Sequence, residues 1–357
     1  MNSKERISNI LKHQPVDRIG LYEHFWDDTY AAYVAKGKIK EGEILNEHFN
    51  LDIIGASCSN CTIDMDFEPE VVREDNDTIT IKDGNGAILR RHKHHDTTPE
   101  HVDFTIKEYE DWKKFKHKLQ ENLERRVNYT GYRETKAQAK RDERFFICAG
   151  AGVFEHMHLV CGHENMLAGM ALDPDWIRDM AETYTELMIT TQEMLFEKEG
   201  LPDGMFFYED LGFKDKPFMS PKMFREILQP SLAKIIDHAH SKDLPFILHS
   251  CGFVEPLLPD MIDAGIDCLQ VIEIKAGMDL LRIHKQFGDK IALMGGIDVR
   301  ALYTNDRSII DKELESKIPI VKQGYGYVAH SDHSIPNTVE YDTLRYYMDR
   351  VLELGSY

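Results

Sequence analysis

Short apolar runs ending in glycine, polar or charged residues recur along the chain, with longer amphipathic stretches between them. That alternation predicts parallel β/α architecture, in which each strand feeds a helix that packs back onto the sheet. Eight runs qualify: RIGLYE (18–23), LDIIGA (51–56), RFFICAG (144–150), GMFFYED (204–210), PFILHSC (245–251), DCLQVIE (267–273), IALMGG (291–296) and YGYVAHS (325–331). Eight parallel strands is the number that closes a (β/α)8 TIM barrel. The stretches 220–242, 253–265, 277–288, 308–324 and 338–355 carry apolar residues three or four apart, and several end at glycine, as helices do.

The N-terminal half is less regular. DNDTITIKDGNGAILRR (75–91) predicts a β-hairpin with a glycine-containing turn, inserted after the second strand. The acidic and basic stretch 106–144 reads as a solvated helical insertion. The expected fold is therefore one barrel domain over 1–357 with an elaborated N-terminal region, the hairpin and helical insertion filling about 62–142. No internal repeat and no proline- or serine-rich linker divides it.

Composition narrows the function classes. With 42% hydrophobic and 29% charged residues the chain can bury a large core. Its formal charge of −19, and the lack of a basic stripe with interleaved aromatics, argue against a nucleic-acid partner. The opening residues show no secretory apolar region and no later run has membrane-spanning length, so a cytoplasmic location without a membrane partner is expected. Six cysteines in such a chain predict free thiols rather than a disulfide framework.

In a β/α barrel the active site forms at the carboxyl-terminal ends of the strands. The residues found there are polar: Glu23 and His24, Glu209 and Asp210, His249 and Cys251, Glu273, Asp298, then His330, Asp332 and His333. His249 and Cys251 are two apart at a strand end, so in an extended chain both project to one side. The same spacing relates His330 and Asp332. Imidazole, thiolate and carboxylate all suit zinc, whose catalytic sites use three protein ligands and keep one position open. Glu273 and Asp298 also fit helix-capping roles, and Tyr208 and Phe207 fit the core. Cys58 and Cys61 form a single CxxC without the second pair that a closed zinc site requires. His92, His94 and His95 follow the hairpin and read as solvated surface.

FFYEDLGFKDKPFMSPKMFREILQP, HSCG, LMGGID and GYVAHSDHSIPNTVEYDTL, together with the opening NSKERISNILKHQPVDRI, resemble the uroporphyrinogen decarboxylase superfamily, and within it the cobamide (corrinoid)-dependent methyltransferase branch. The resemblance covers nearly the whole chain except 60–140. It implies a catalytic zinc held by the His-x-Cys pair, here His249 and Cys251, plus a distant cysteine. Asp332 stands at that cysteine's position, which makes Asp332 the expected third ligand, with His330 or Glu209 as alternatives. An aspartate is harder than a thiolate and leaves the metal less electron-rich.

The activity so implied is transfer of a methyl group from a small methylated donor, methoxylated compounds included, to the corrinoid of a partner protein. Glu209, Asp210 and His333 are the expected catalytic residues. No DxHxxG segment of a corrinoid-binding module occurs, so a separate corrinoid protein is the expected partner. Two other functions stay open: a porphyrinogen-type decarboxylase and a non-catalytic tetrapyrrole- or small-molecule-binding barrel. The decarboxylase branch carries an arginine-rich segment near its start, where LYEHFWDDTYAAYVAKG has no arginine and contains Glu23, Asp27 and Asp28. Asp52 is the residue that would take the place of the decarboxylase aspartate.

Overall fold

The computed structural model describes every residue of the chain except 95–97. His95 lies outside the described residues. Among the described residues, twelve strands form two sheets. The first holds β1 (Gly20–Leu21), β2 (Ile53–Ser57), β7 (Phe145–Ala151), β8 (Gly204–Tyr208), β9 (Phe246–Ser250), β10 (Cys268–Val271), β11 (Ala292–Gly295) and β12 (Tyr327–Ala329). The second holds β3 (Glu70–Glu74), β4 (Thr78–Lys82), β5 (Ala87–His92) and β6 (Glu100–Phe104).

All pairings in the first sheet are parallel, in the order β1-β12-β11-β10-β9-β8-β7-β2. Its two outer strands approach one another, since the Asp52 N–H just before β2 donates to the Leu21 carbonyl at 2.9 Å. The sheet is thus curled, consistent with a (β/α)8 barrel. Its strands read as apolar runs because both faces are covered. Phe246, Ile247 and Leu248 in β9 and all of β10 and β11 are buried. The helix Ser3–Ile10, opened by a capping box between Asn2 and Glu5, packs on β1, β2, β7 and β12.

The second sheet is antiparallel, in the order β3-β4-β5-β6. Segment 75–91 supplies β4 and most of β5, and two further strands flank that pair. The sheet lies against the helix Val153–Leu172 through β5 and β6. That helix is kinked at Gly162, whose φ of 75° lies in the region where a side chain is strained, and where an added Cβ would sit 2.4 Å from the Phe104 ring. His92 and His94, at the end of β5, place their rings 5.7 Å apart.

Two expectations need correction. Cys58 and Cys148 are bonded to one another, with Cα atoms 5.7 Å apart, so only Cys61, Cys161, Cys251 and Cys268 are free thiols. The pairing follows from register: β2 and β7 are neighbours, and the Cys58 N–H donates to the Ala149 carbonyl just past Cys148. Asp52, aligned with a decarboxylase aspartate, sits before β2 at the amino-terminal edge of the sheet. There its buried carboxylate accepts from Ser3, Arg6, Arg18 and the Leu21 N–H, all within 2.9 Å. Among the described residues no helix is long and apolar enough to cross a membrane.

Candidate metal centre at the carboxyl-terminal edge of the sheet

β9 delivers His249 to the carboxyl-terminal edge, in register with Tyr208 of β8 and Gln270 of β10. Residues in one register row of a parallel sheet face the same way, and the three side chains form one polar layer. The His249 Nε2 lies 3.1 Å from the Cys251 Sγ and 3.2 Å from an Asp210 carboxylate oxygen. One ligand atom from each of Asp210, His249 and Cys251 falls within 4.8 Å of the others. The Cys251 N–H donates to the same Asp210 oxygen at 2.9 Å and orients that carboxylate.

The tautomer of His249 follows from a chain of contacts. The Ser331 carbonyl can only accept, so His330 donates to it from Nδ1. His330 Nε2 is then an acceptor and receives the Gln270 amide at 3.4 Å. The Gln270 carbonyl oxygen is left to accept from His249 Nδ1. His249 Nε2 is therefore the nitrogen turned toward Cys251 and Asp210; in the metal-free group it carries the proton it shares with them, whose place a metal ion would take.

Charge in the group is mutually held. Burial pushes the Asp210 carboxyl up, but the hydrogen bond and charge of His249 more than reverse this and lower it to about 2. Burial lowers His249, while the Cys251 and Asp210 charges carry it well above its usual value. Burial raises the Cys251 thiol despite the pull of His249.

The loop after the pair depends on Gly252. Its φ is +78°, and an added Cβ would stand 2.3 Å from the Gly212 carbonyl carbon. Main chain therefore packs on main chain here, and the Gly252 N–H donates to Glu273 at 2.6 Å. A cavity of about 430 Å³ lined by Cys251, Glu273 and Lys275 adjoins the group, and another of about 540 Å³ lies beyond Tyr208, whose ring is 5.2 Å from that of His249.

Other expected residues fall elsewhere. Asp332 is fully buried, with one oxygen accepting from the Val299 N–H at 2.8 Å and the other from the Ile274 N–H at 2.9 Å. It pins two loops and stands outside the Asp210, His249 and Cys251 group. The strand ends at Ala329 and Ser331 still bridges Ile297, but the two side chains part: the Asp332 carboxylate meets the Val299 and Ile274 N–H groups, and the His330 ring meets Gln270. His330 sits one link away, behind Gln270. Glu209 accepts from the Val153, Phe154 and Glu155 N–H groups at 2.7, 2.8 and 3.4 Å and holds the start of the kinked helix. Burial, with Glu155 nearby, pushes its carboxyl up to about 8 against those donors. His333 is half-buried with its ring 5.8 Å from Trp26. Asp298 caps its helix by accepting from the Arg300 N–H at 2.9 Å. Gln270 was not anticipated; its signal is an amide inside the apolar run DCLQV, fully buried in the structure.

A family model described as uroporphyrinogen decarboxylase (URO-D) matches residues 77–354. A methylcobamide:CoM methyltransferase, MtaA, of Methanosarcina barkeri is 40% identical over 79 residues, which are 22% of this chain and 22% of that protein. The match thus spans about a fifth of the curated relative's length. A solved methyltransferase from Methanosarcina mazei superposes with a TM-score of 0.65 at 16% identity, covering 99% of each chain. That likeness shows the fold.

Proposed function

Since the chain belongs to the uroporphyrinogen decarboxylase family, we propose that it acts there as a zinc-dependent methyltransferase, moving a methyl group from a small methylated substrate to the corrinoid of a partner protein. The observation that carries this reading is the Asp210, His249 and Cys251 group, with Nδ1 of the histidine engaged by Gln270 and Nε2 turned into the group. Sulfur, imidazole nitrogen and carboxylate oxygen make a donor set that zinc accepts with a fourth position open. Zinc held there supplies Lewis acidity toward the heteroatom that carries or loses the methyl group.

The chain's own residues arrange the rest. Gln270 engages His249 Nδ1 and so leaves Nε2 for a metal ion, and the Cys251 N–H aims the Asp210 carboxylate. The adjoining cavity lined by Cys251, Glu273 and Lys275 gives a small substrate access to the group. Asp210 joins the ligands and Glu209 is tied to a helix start, which leaves His333 to move a proton. Burial lowers its pKa, so it is neutral and able to accept a proton. With no corrinoid-binding motif in the sequence, the corrinoid comes from another protein.

A second reading, methyl transfer from a corrinoid to a thiol, is favoured by the name of the Methanosarcina barkeri relative. The oxygen ligand in the third place supports the first direction, because it leaves the metal less electron-rich than a second thiolate would. Decarboxylation is disfavoured by the placement of Asp52 at the opposite edge of the sheet. Corrinoid absorbance separates the three. Methylcobalamin formed from reduced cobalamin and methylated oxygen, nitrogen or sulfur donors supports the proposal. Loss of methyl from methylcobalamin only when thiols are added reverses the direction. Carbon dioxide released from a porphyrinogen, with no corrinoid change, overturns both.

A further inference from the structure

Three imidazoles converge where the antiparallel sheet meets the kinked helix. His101 comes from β6, and His158 and His163 from Val153–Leu172. One ligand nitrogen from each lies within 4.8 Å of the others. The ring centroids of His158 and His163 are 4.2 Å apart, and His101 stands 5.7 and 5.8 Å from them. Residues five apart in a regular helix point well away from one another. The break at Gly162 is what brings these two together.

His158 is only 8% exposed. Its Nε2 lies 2.9 Å from the Glu155 carboxylate, which can only accept from it, so Nε2 carries the proton and Nδ1 the lone pair. That Nδ1 is buried and has no hydrogen-bond partner. A buried polar atom left unsatisfied is costly. A carboxylate gripping one imidazole nitrogen while the other remains bare is the arrangement that supports a metal-ligating histidine. His101 and His163 are half-buried and leave the cluster open to ions from solvent.

We propose that His101, His158 and His163 bind a divalent transition-metal cation of the zinc type, at a site separate from the His249 centre, and that the ion ties the antiparallel sheet to the kinked helix. Three neutral imidazoles suit such an ion, with a fourth position left for water. Glu155 joins the two regions, one oxygen on His158 and the other accepting from the Asp210 N–H at 3.2 Å. The proposal does not depend on the methyltransferase reading.

Cobalt(II) titration of the untagged, metal-free full chain tests it, with bound metal counted by equilibrium dialysis and the near-ultraviolet spectrum recorded. Two equivalents are expected in the wild type, one with a thiolate-to-cobalt band from Cys251 and one without. The His101→Gln, His163→Gln double variant keeps the thiolate band and loses the other equivalent, while His249→Ala, Cys251→Ala does the reverse. Circular dichroism checks that each variant folds, and His101→Gln alone, a partly exposed strand position, weakens the second equivalent at least ~10-fold. Retention of two equivalents in the double histidine variant overturns the proposal. So does a wild type that binds one equivalent, or none, with nothing for that variant to lose. A wild type without a thiolate band that still loses one equivalent in this variant upholds the three-histidine site and contradicts the His249 centre.

Discussion

His249 can offer a lone pair at Nε2 only while Nδ1 is engaged, and the group that engages it is the Gln270 carbonyl oxygen. Gln270→Met keeps the side chain's length and removes both polar contacts. It is expected to lower zinc affinity by about 10- to 100-fold, read by competition with a chelator; unchanged affinity would show that the orienting chain is dispensable. Asp332→Asn separates structure from ligation. The substituted amide keeps one carbonyl acceptor where two main-chain donors now meet a carboxylate, so stability in urea should fall by ~1–3 kcal/mol with metal stoichiometry intact. Loss of the thiolate-bound metal without loss of stability would restore Asp332 as a ligand. His330 gives a pH test. Burial lowers its pKa from 6.5 to about 4, so the folded chain holds it neutral while the unfolded chain protonates it. Its contribution to stability is present above 6.5 and lost as pH falls toward 4. In His330→Gln the urea midpoint should therefore decline less steeply across that window, by up to one proton in the linkage slope; identical slopes would place the titration elsewhere.

At the scale of elements, all eight parallel strands were legible because buried strands must be continuous apolar runs, and each run stands out against amphipathic neighbours. His249 and Cys251 were legible for a related reason: spacing within one strand end is local information. The contact of Asp210 with His249 was not legible, because it crosses between β8 and β9, and lateral distance is not encoded in sequence separation. The placing of Asp332 was not legible either, since its carboxylate is turned to the Val299 and Ile274 N–H groups, which come from other loops. The three-histidine cluster was illegible, being assembled from β6 and from both sides of a kink that only Gly162 permits. Gly252 in HSCG shows how much a loop can weigh. Gly252→Ala combines a strained φ with a clash against main chain, and should cost at least ~2 kcal/mol while weakening metal binding. Thermal or urea unfolding checks the first, and a stability equal to wild type would contradict the close packing of Gly212 on Gly252.

At the scale of the whole molecule, two features stand at opposite edges of one curled sheet. The amino-terminal edge is closed by the helix Ser3–Ile10 and by the Asp52 network with Arg6 and Arg18, so its polar residues serve the fold. The carboxyl-terminal edge carries the sulfur, nitrogen and oxygen donors of Cys251, His249 and Asp210 beside an open cavity, and there the proposed chemistry lies. A methyltransferase reading requires that this edge, and Cys251 in particular, control the reaction. The most direct measurement is the rate at which corrinoid absorbance reports methyl transfer, in either direction, by zinc-loaded wild type and by Cys251→Ala at matched protein concentration. The account predicts transfer by the wild type and a loss of at least ~100-fold, about 2.7 kcal/mol of transition-state stabilisation, in the variant. Equal rates in the two proteins, or no methyl transfer by the wild type in either direction, would contradict it.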